Sequence, residues 1–355
     1  MNLIVMLGKT KRRMSRALQV LIGSDLKSGS MREIPDLTKE EVEEAKSFFP
    51  MDKFFIFGHA RSGTTLLARL VRLHPEVHCN WQAHFFTRDP LLQGLVNDEE
   101  IRSWFSRRSN RWNRGSDFSP IALRAVSDFM LERDARQAGK SVVGDKSPNS
   151  LLNGKSVELL HQIYPDGRLI YIVRDGRDTV ISHRFQSFVD KVDHLSGEDA
   201  KIRGEFIQDP QPFMDGRRSI FTEEGLRNAV VSWVKNLVET DSRGQELFGE
   251  SYFPLRYEDL LDNPAEEMNR VWVFLGVDQD VEDLGRKISV EMSQNPDADW
   301  QQEAAGQIAQ VLQKGRHGSW RDVLTDKDKQ IFEQIAGHML TEWGYDSGVP
   351  QGKLN

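Results

Sequence analysis

The chain has 355 residues, 38% hydrophobic and 28% charged, with 19 Phe and 8 Trp; that is material for a sizeable core and excludes global disorder. Its 47 Lys and Arg stand against 54 Asp and Glu, a formal net charge of −7, so nucleic acid is not expected as a partner. A single cysteine, Cys79, excludes an intrachain disulfide and a Cys-based zinc site and fits a reducing, cytoplasmic compartment.

No stretch approaches the roughly 18 uninterrupted apolar residues of a membrane span. Residues 1–7 are apolar, but the positive charges follow them, the reverse of a secretory signal. Between 9 and 27, Lys9, Lys11, Arg12, Arg13, Arg16 and Lys27 face one acid, Asp25, with Leu18, Val20, Leu21 and Ile22 interspersed. This reads either as a basic amphipathic segment resting on a membrane or partner through residues 1–30, or as a loosely attached helix. Residues 28–30 look like a linker, and 39–47 like a capped acidic helix.

Phe54-Phe55-Ile56-Phe57 is an apolar run ending in Gly58, as in a strand buried on both faces. Leu66, Leu67, Leu70 and Leu73 mark a helix over 64–73, which His74-Pro75 ends. Ser119-Pro120 signals the start of a helix over 121–138, with Val126, Phe129 and Met130 on one side. Strands are predicted at 141–143, 169–173 and 252–255, and helices at 151–164, 226–247 and 326–343. Residues 190–222 have weak periodicity and read as a long loop, a lid or a disordered segment. Short apolar strands alternating with helices predict an α/β fold, a parallel sheet flanked by helices on both faces in a single domain with insertions.

Gly58-His59-Ala60-Arg61-Ser62-Gly63-Thr64-Thr65 joins the first strand to its helix with the glycine spacing of a phosphate-binding P-loop. Glycines let the backbone wrap an anion, and the helix N-terminus aims its amides and dipole at it. An ATP or GTP P-loop has Lys after the second Gly; here that position is Thr64, and the cation is Arg61 inside the loop. No acid is evident to hold Mg²⁺ as kinases and GTPases require, so no metal is expected.

At Arg61-Ser62-Gly63-Thr64-Thr65 the sequence resembles the PAPS-dependent sulfotransferases, whose donor is 3′-phosphoadenosine-5′-phosphosulfate and whose product is PAP, in the style of the bacterial, tyrosylprotein and heparan-type members. The resemblance runs from about residue 53 to 345 and implies a P-loop NTPase-like fold. It divides the chain into a helical extension over 1–50, a sulfotransferase-like α/β domain over 51–345 and a tail over 346–355. It implies that Gly58, Arg61, Ser62, Gly63, Thr64 and Thr65 hold the 5′-phosphosulfate.

Tyr171 to Asp178 reads as a strand ending in a charged turn, after which a helix carries Ser182; Arg174 and Ser182 can converge on a second anion. The resemblance assigns them the 3′-phosphate. It also places Tyr257 near the adenine, and likens the basic glycine loop of Lys314, Gly315, Arg316 and Gly318 to one that approaches the 3′-phosphate.

Sulfuryl transfer is an in-line displacement that needs leaving-group stabilisation and a base. Arg61 is the expected electrostatic clamp. Lys146, in Gly144-Asp145-Lys146-Ser147-Pro148, matches a family Lys close to the transferred group. The run Cys79 to Phe86 resembles the heparan-type stretch ending in His-Phe-Phe, but its catalytic Glu is here Gln82, which cannot take a proton. His84 is then the leading base, Asp145 the second and His59 the third.

Residues 101–116 hold Arg102, Arg107, Arg108, Arg111 and Arg114 with Trp104, Phe105 and Trp112 and no acid; they read as a contact for an anionic or sugar acceptor or for the 3′-phosphate, or as a solvated helix face. The expected acceptor is a small-molecule, lipid or glycan hydroxyl, and oligomeric state is unreadable. A P-loop kinase or a silent nucleotide-binding protein are the competing readings.

Overall fold

The computed structural model describes residues 33–346 apart from 110, 191–194, 196, 279 and 295–316. The basic segment 9–27, the linker 28–30 and three of the glycine-loop residues, Lys314, Gly315 and Arg316, lie outside the described residues.

Strands β1 (Asp52–Phe57), β2 (Val77–Trp81), β3 (Val142–Lys146), β4 (Arg168–Val173) and β5 (Tyr252–Arg256) form one sheet in the order β2-β3-β1-β4-β5. Every neighbouring pair is parallel; Phe55 of β1 stands opposite Asp145 of β3 and Leu169 of β4. Side chains alternate between two cores. Phe54, Ile56, Val142, Ile170, Ile172 and Leu255 enter one. Phe55, Phe57, Val143, Leu169, Tyr171 and Val173 enter the other. Both faces are therefore apolar, which is why β1 and β4 read as unbroken hydrophobic runs.

The helices are α1 (Lys39–Phe48), α2 (Thr64–Val71), α3 (Glu99–Phe105), α4 (Ser119–Gln137), α5 (Gly154–Ile163), α6 (Gly176–Asp190) and α7 (Gly197–Gln208). They continue with α8 (Gln211–Met214), α9 (Glu223–Phe248), α10 (Tyr257–Asp262), α11 (Pro264–Leu275), α12 (Leu284–Ser293), α13 (Trp320–Val323) and α14 (Asp326–Glu342). Leu67 of α2, Trp272 of α11 and Ile288 of α12 cover the Phe54 face. Leu131 of α4, Leu160 of α5, Phe185 of α6, Trp233 of α9 and Phe332 of α14 cover the Phe55 face. The predicted P-loop NTPase-like α/β architecture is the one observed. Thr38 closes the start of α1 with a capping box to Glu41, and α1 packs through Val42 and Ala45 against Ile121 of α4.

Two expectations need correction, and one strand was not foreseen. Residues 190–222 are no open loop: α7 and α8 occupy much of the segment, and Phe206, Phe213 and Ile220 are buried in the main core. Aromatic anchors spaced along short helices hold it, a pattern without a helical apolar stripe. β2 was not legible, because Val77 and Cys79 point inward between polar His78 and Asn80 at a sheet edge.

The second correction concerns α4, whose expected apolar side is its outer one: Val126, Phe129 and Met130 are 42%, 57% and 47% exposed. Its buried side carries Leu123, Leu131 and Ala135 together with Arg124, Asp128 and Glu132. Lys53 of β1 points into this core and needs counter-ions; its Nζ lies 2.6 Å from Glu132 Oε1 and 3.5 Å from Asp128 Oδ1. Arg124 bonds Asp128 and Asp166 at 2.7 Å each, and the Tyr164 hydroxyl bonds Asp128 at 3.0 Å. A buried charge left unpaired costs several kcal/mol, so the ion cluster acts with the buried Leu123, Leu131 and Ala135 to set which way α4 faces. Ser119 also sits inside the first turn rather than capping it; Asp117 Oδ1 accepts from its amide and hydroxyl.

Candidate active site

Because all five strands are parallel, their C-terminal ends share one edge, where α/β folds place ligands. The loop after β1 is fixed by its neighbours. A Cβ on Gly58 would lie 2.7 Å from the Ile172 carbonyl of β4. Gly63 has φ +92° and caps α2, and a Cβ there would lie 2.2 Å from the Tyr257 ring. Ser62 N donates to the His59 carbonyl at 3.0 Å, which closes the turn. Thr64 and Thr65 open α2, whose first-turn amides lack carbonyl acceptors within the helix. Ser62 is 1% exposed and its Oγ has no hydrogen-bond partner among the described residues. An orphaned buried hydroxyl costs about 1–3 kcal/mol. A loop of this shape fits a bound oxyanion.

The second predicted anion site meets this loop directly. Arg174 follows the end of β4, and Ser182 lies on α6. Arg61 Nε donates to Ser182 Oγ at 3.2 Å, and Arg174 Nη1 donates to the Arg61 carbonyl at 3.2 Å. The rest of the charged turn is structural. Asp175 Oδ1 accepts from the Arg177 amide, and the Arg177 guanidinium grips the same carboxylate at 2.7 Å while lying 3.6 Å over the Trp320 ring.

Tyr257 and Gly318 stand differently from the expectation. The Tyr257 ring is 6% exposed, packed against Gly63 with the Arg174 guanidinium 4.9 Å from its centroid. That leaves little surface for an adenine; the ring instead wedges the two loops together. Gly318 donates its amide to Asp178 Oδ2 at 2.5 Å, and Ser319 Oγ and Trp320 N bind the other oxygen. That amide ties its loop to the start of α6, so it is committed within the protein.

Lys146, at the end of β3, is 1% exposed and is no solvated strand-end lysine. Its Nζ donates to Thr65 Oγ1 at 3.3 Å and lies 5.2 Å over the Trp81 ring. A cation thus reaches the first turn of α2 from the neighbouring strand, where nucleotide-binding P-loops use their own Lys.

Asp145 and Ser147 flank Lys146 and hold the turn after β2. Asp145 Oδ1 accepts from Ala83 N at 3.0 Å, and Oδ2 accepts from Ser147 Oγ at 2.6 Å. Ser147 Oγ in turn accepts from His84 N at 3.0 Å. These bonds pin a turn in which Gln82 and His84 both have positive φ, +52° and +53°. Burial pushes the Asp145 carboxyl up to about 6. Each of its oxygens accepts one hydrogen bond, so Asp145 positions the 83–84 turn. Ser147 and Thr87 are the residues that sequence reasoning passed over; the only signal was Ser147's place beside Lys146.

His84 is half-buried, with Nδ1 2.7 Å from Thr87 Oγ1. Burial, then the Arg88 and Lys146 charges, lower its pKa to about 4. Gln82 is exposed on the same turn. His59 is 7% exposed; its Nδ1 faces the Ala60 carbonyl at 2.9 Å and must carry the proton, so Nε2 accepts from Ser232 Oγ at 3.4 Å. Burial lowers its pKa to about 4 as well. His59 is part of the loop's interior support. Among the described residues, no group of three or more His, Cys, Asp or Glu side chains is arranged to hold a metal ion, and no helix is long and apolar enough to cross a membrane.

A model described as "Sulfotransferase family" matches residues 53–283. Protein-tyrosine sulfotransferase 2 of Gallus gallus is 24% identical over 228 residues, 64% of this chain and 52% of the relative. Protein-tyrosine sulfotransferase A of Caenorhabditis elegans is 22% identical over 230 residues, 64% of this chain and 50% of the relative. The chain spans about half the length of these curated relatives. Among solved structures, a mouse sulfotransferase complexed with PAP is similar at TM-score 0.45 and 15% identity, over 88% of this chain and 92% of that one.

Proposed function

The chain belongs to the sulfotransferase family, and from that premise we propose that it transfers a sulfuryl group from PAPS to a hydroxyl acceptor. The contact that supports this reading is Arg61 to Ser182, with Arg174 on the Arg61 carbonyl, because it brings the residues proposed for the two anions together at one edge.

The loop 58–65 would hold the 5′-phosphosulfate with its amides, the Ser62 hydroxyl and Arg61. Arg174 and Ser182 would hold the 3′-phosphate. When bound, the donor supplies the sulfuryl group and a phosphate leaving group. Arg61 cannot lose its proton, so it acts as a fixed positive charge beside the leaving phosphate. Lys146 reaches the same place from β3 and stabilises charge on the transferred group. The acceptor oxygen forms its bond to sulfur as the sulfur–phosphate oxygen bond breaks, and the acceptor proton goes to a base.

His84 is the proposed base. With a pKa near 4 it is neutral at physiological pH and able to accept. In the tautomer whose Nδ1–H donates to Thr87 Oγ1, Nε2 carries the lone pair. An anionic donor would offset Arg88 and Lys146 and raise its basicity toward the operating pH. Asp145 and Ser147 keep the imidazole in place through the backbone of the 83–84 turn.

The test is turnover of labelled PAPS against phenols, lipids, glycans and tyrosyl peptides, the last because the curated relatives are protein-tyrosine sulfotransferases. Labelled sulfate in one acceptor class is the expected result. PAP binding with no transfer to any class would leave a silent nucleotide-binding protein.

A further inference from the structure

The segment following the His84 turn builds a surface that the proposed reaction does not use. Leu92 N donates to the Phe85 carbonyl at 2.8 Å, which carries the chain from that turn into a short 3-10 helix, Leu92–Val96, and then α3. Four large apolar side chains stand out of water's reach only in part: Leu95 at 54%, Ile101 at 36%, Trp104 at 53% and Trp112 at 48% exposure. Ile101 and Trp104 are three apart on α3 and share a face. Trp112 lies 5.6 Å from Trp104, ring to ring.

The surface is firmly built. Trp104 stacks on Phe105 at 4.9 Å and Trp112 meets Phe118 edge-on at 5.0 Å, while Phe105 packs against the main core. Buried Asn113 staples the loop, donating to the Phe105 carbonyl at 2.9 Å and the Ser116 carbonyl at 2.7 Å. Around these rings stand five exposed arginines, Arg102, Arg107, Arg108, Arg111 and Arg114, with no acid from 101 to 116. Three exposed acids, Asp98, Glu99 and Glu100, stand between Leu95 and Ile101 at the start of α3, at the opposite end of that helix from the arginine loop, and Asp117 is engaged at the start of α4.

We propose that this surface docks the protein on an anionic lipid bilayer. The chain as a whole carries −7, so only a local cationic face can approach such a membrane. Tryptophan and arginine are the pair suited to the headgroup layer, one inserting its ring and the other binding lipid phosphate. The aliphatic Leu95 and Ile101 decide between occupants. A sulfated glycan or an acidic peptide would satisfy the arginines but gains little from exposed aliphatic side chains, whereas a bilayer takes both.

The experiment is co-sedimentation of the full chain with vesicles of phosphatidylcholine containing about one-third phosphatidylserine, read without PAPS or turnover, so its failure leaves the sulfuryl-transfer reading untouched. Wild-type protein should bind these vesicles, with a blue shift of tryptophan emission, and release phosphatidylcholine alone. Trp104→Ser with Trp112→Ser should lose about tenfold or more in partitioning together with the blue shift. Arg107→Glu with Arg111→Glu, which leaves the ring cluster intact, should lose at least about 25-fold at about fivefold per arginine. Wild-type affinity in both double variants, as binding through residues 9–27 would give, overturns the proposal. So does capture on heparin with no vesicle binding.

Discussion

Arg61 Nε donates to Ser182 Oγ across 3.2 Å although the two residues stand 121 positions apart in the chain. The loop after β1 and the helix after β4 therefore share one hydrogen bond at the common edge of the sheet. Tyr257, from the end of β5, wedges beneath both, against Gly63 and Arg174. Three strand ends thus hold Arg61, Arg174 and Ser182 together at this edge.

Ser182→Ala removes a donor from the proposed 3′-phosphate site. A hydrogen bond to a charged group is worth about 1.5–3 kcal/mol, so PAP affinity should fall about 10- to 100-fold. Titration calorimetry reads this directly. An unchanged dissociation constant would take Ser182 out of the site.

His84→Ala should lower kcat by about 10²- to 10⁴-fold while PAP binding stays at the wild-type value. Ser147→Ala should act on the same step through position alone, since its hydroxyl bonds the His84 amide and Asp145. Near-normal turnover in the His84 variant would return the base to an unassigned group.

Glu132→Ala leaves Lys53 in the core with the Phe49 carbonyl at 2.8 Å and, as its remaining counter-ion, Asp128 at 3.5 Å. Removing one member of a buried ion cluster costs about 3–5 kcal/mol, to be read by urea denaturation. A loss below about 1 kcal/mol would mean that the cluster does not orient α4.

His59 gives a pH signature. Its folded-state pKa, about 4, lies below its ordinary value of 6.5, so the unfolded chain binds more protons between those values. Its contribution is therefore fully present above pH 6.5 and is lost as pH falls toward 4, by up to about 3 kcal/mol. His59→Asn should flatten the stability profile in that window relative to wild type. Parallel profiles would show that the imidazole is not held neutral.

What the sequence disclosed followed from how local each cause is. β1 and β4 were legible because both of their faces are buried, and the P-loop because its glycines, strand and helix lie within a few residues of one another. The convergence of Arg174 and Ser182 was read from the strand end and helix, and their 3′-phosphate assignment from a resemblance; their meeting with Arg61 depends on strand order, which no local pattern encodes. α4 misled because Lys53, some 80 positions away, draws its charged side inward. The burial of Lys146 was equally hidden, since a lysine at a strand end is usually solvated and only the sheet edge brings it to Thr65.

The central claim is that two neighbouring cradles bind the two anionic ends of one nucleotide. Thermal unfolding with PAP in metal-free buffer tests it most directly. PAP at about 100 times its dissociation constant should stabilise the wild-type chain by about 2.7 kcal/mol, an effect that shrinks in Ser182→Ala, while ATP with Mg²⁺ should not match it. A protein stabilised by ATP with Mg²⁺ and indifferent to PAP would contradict the account.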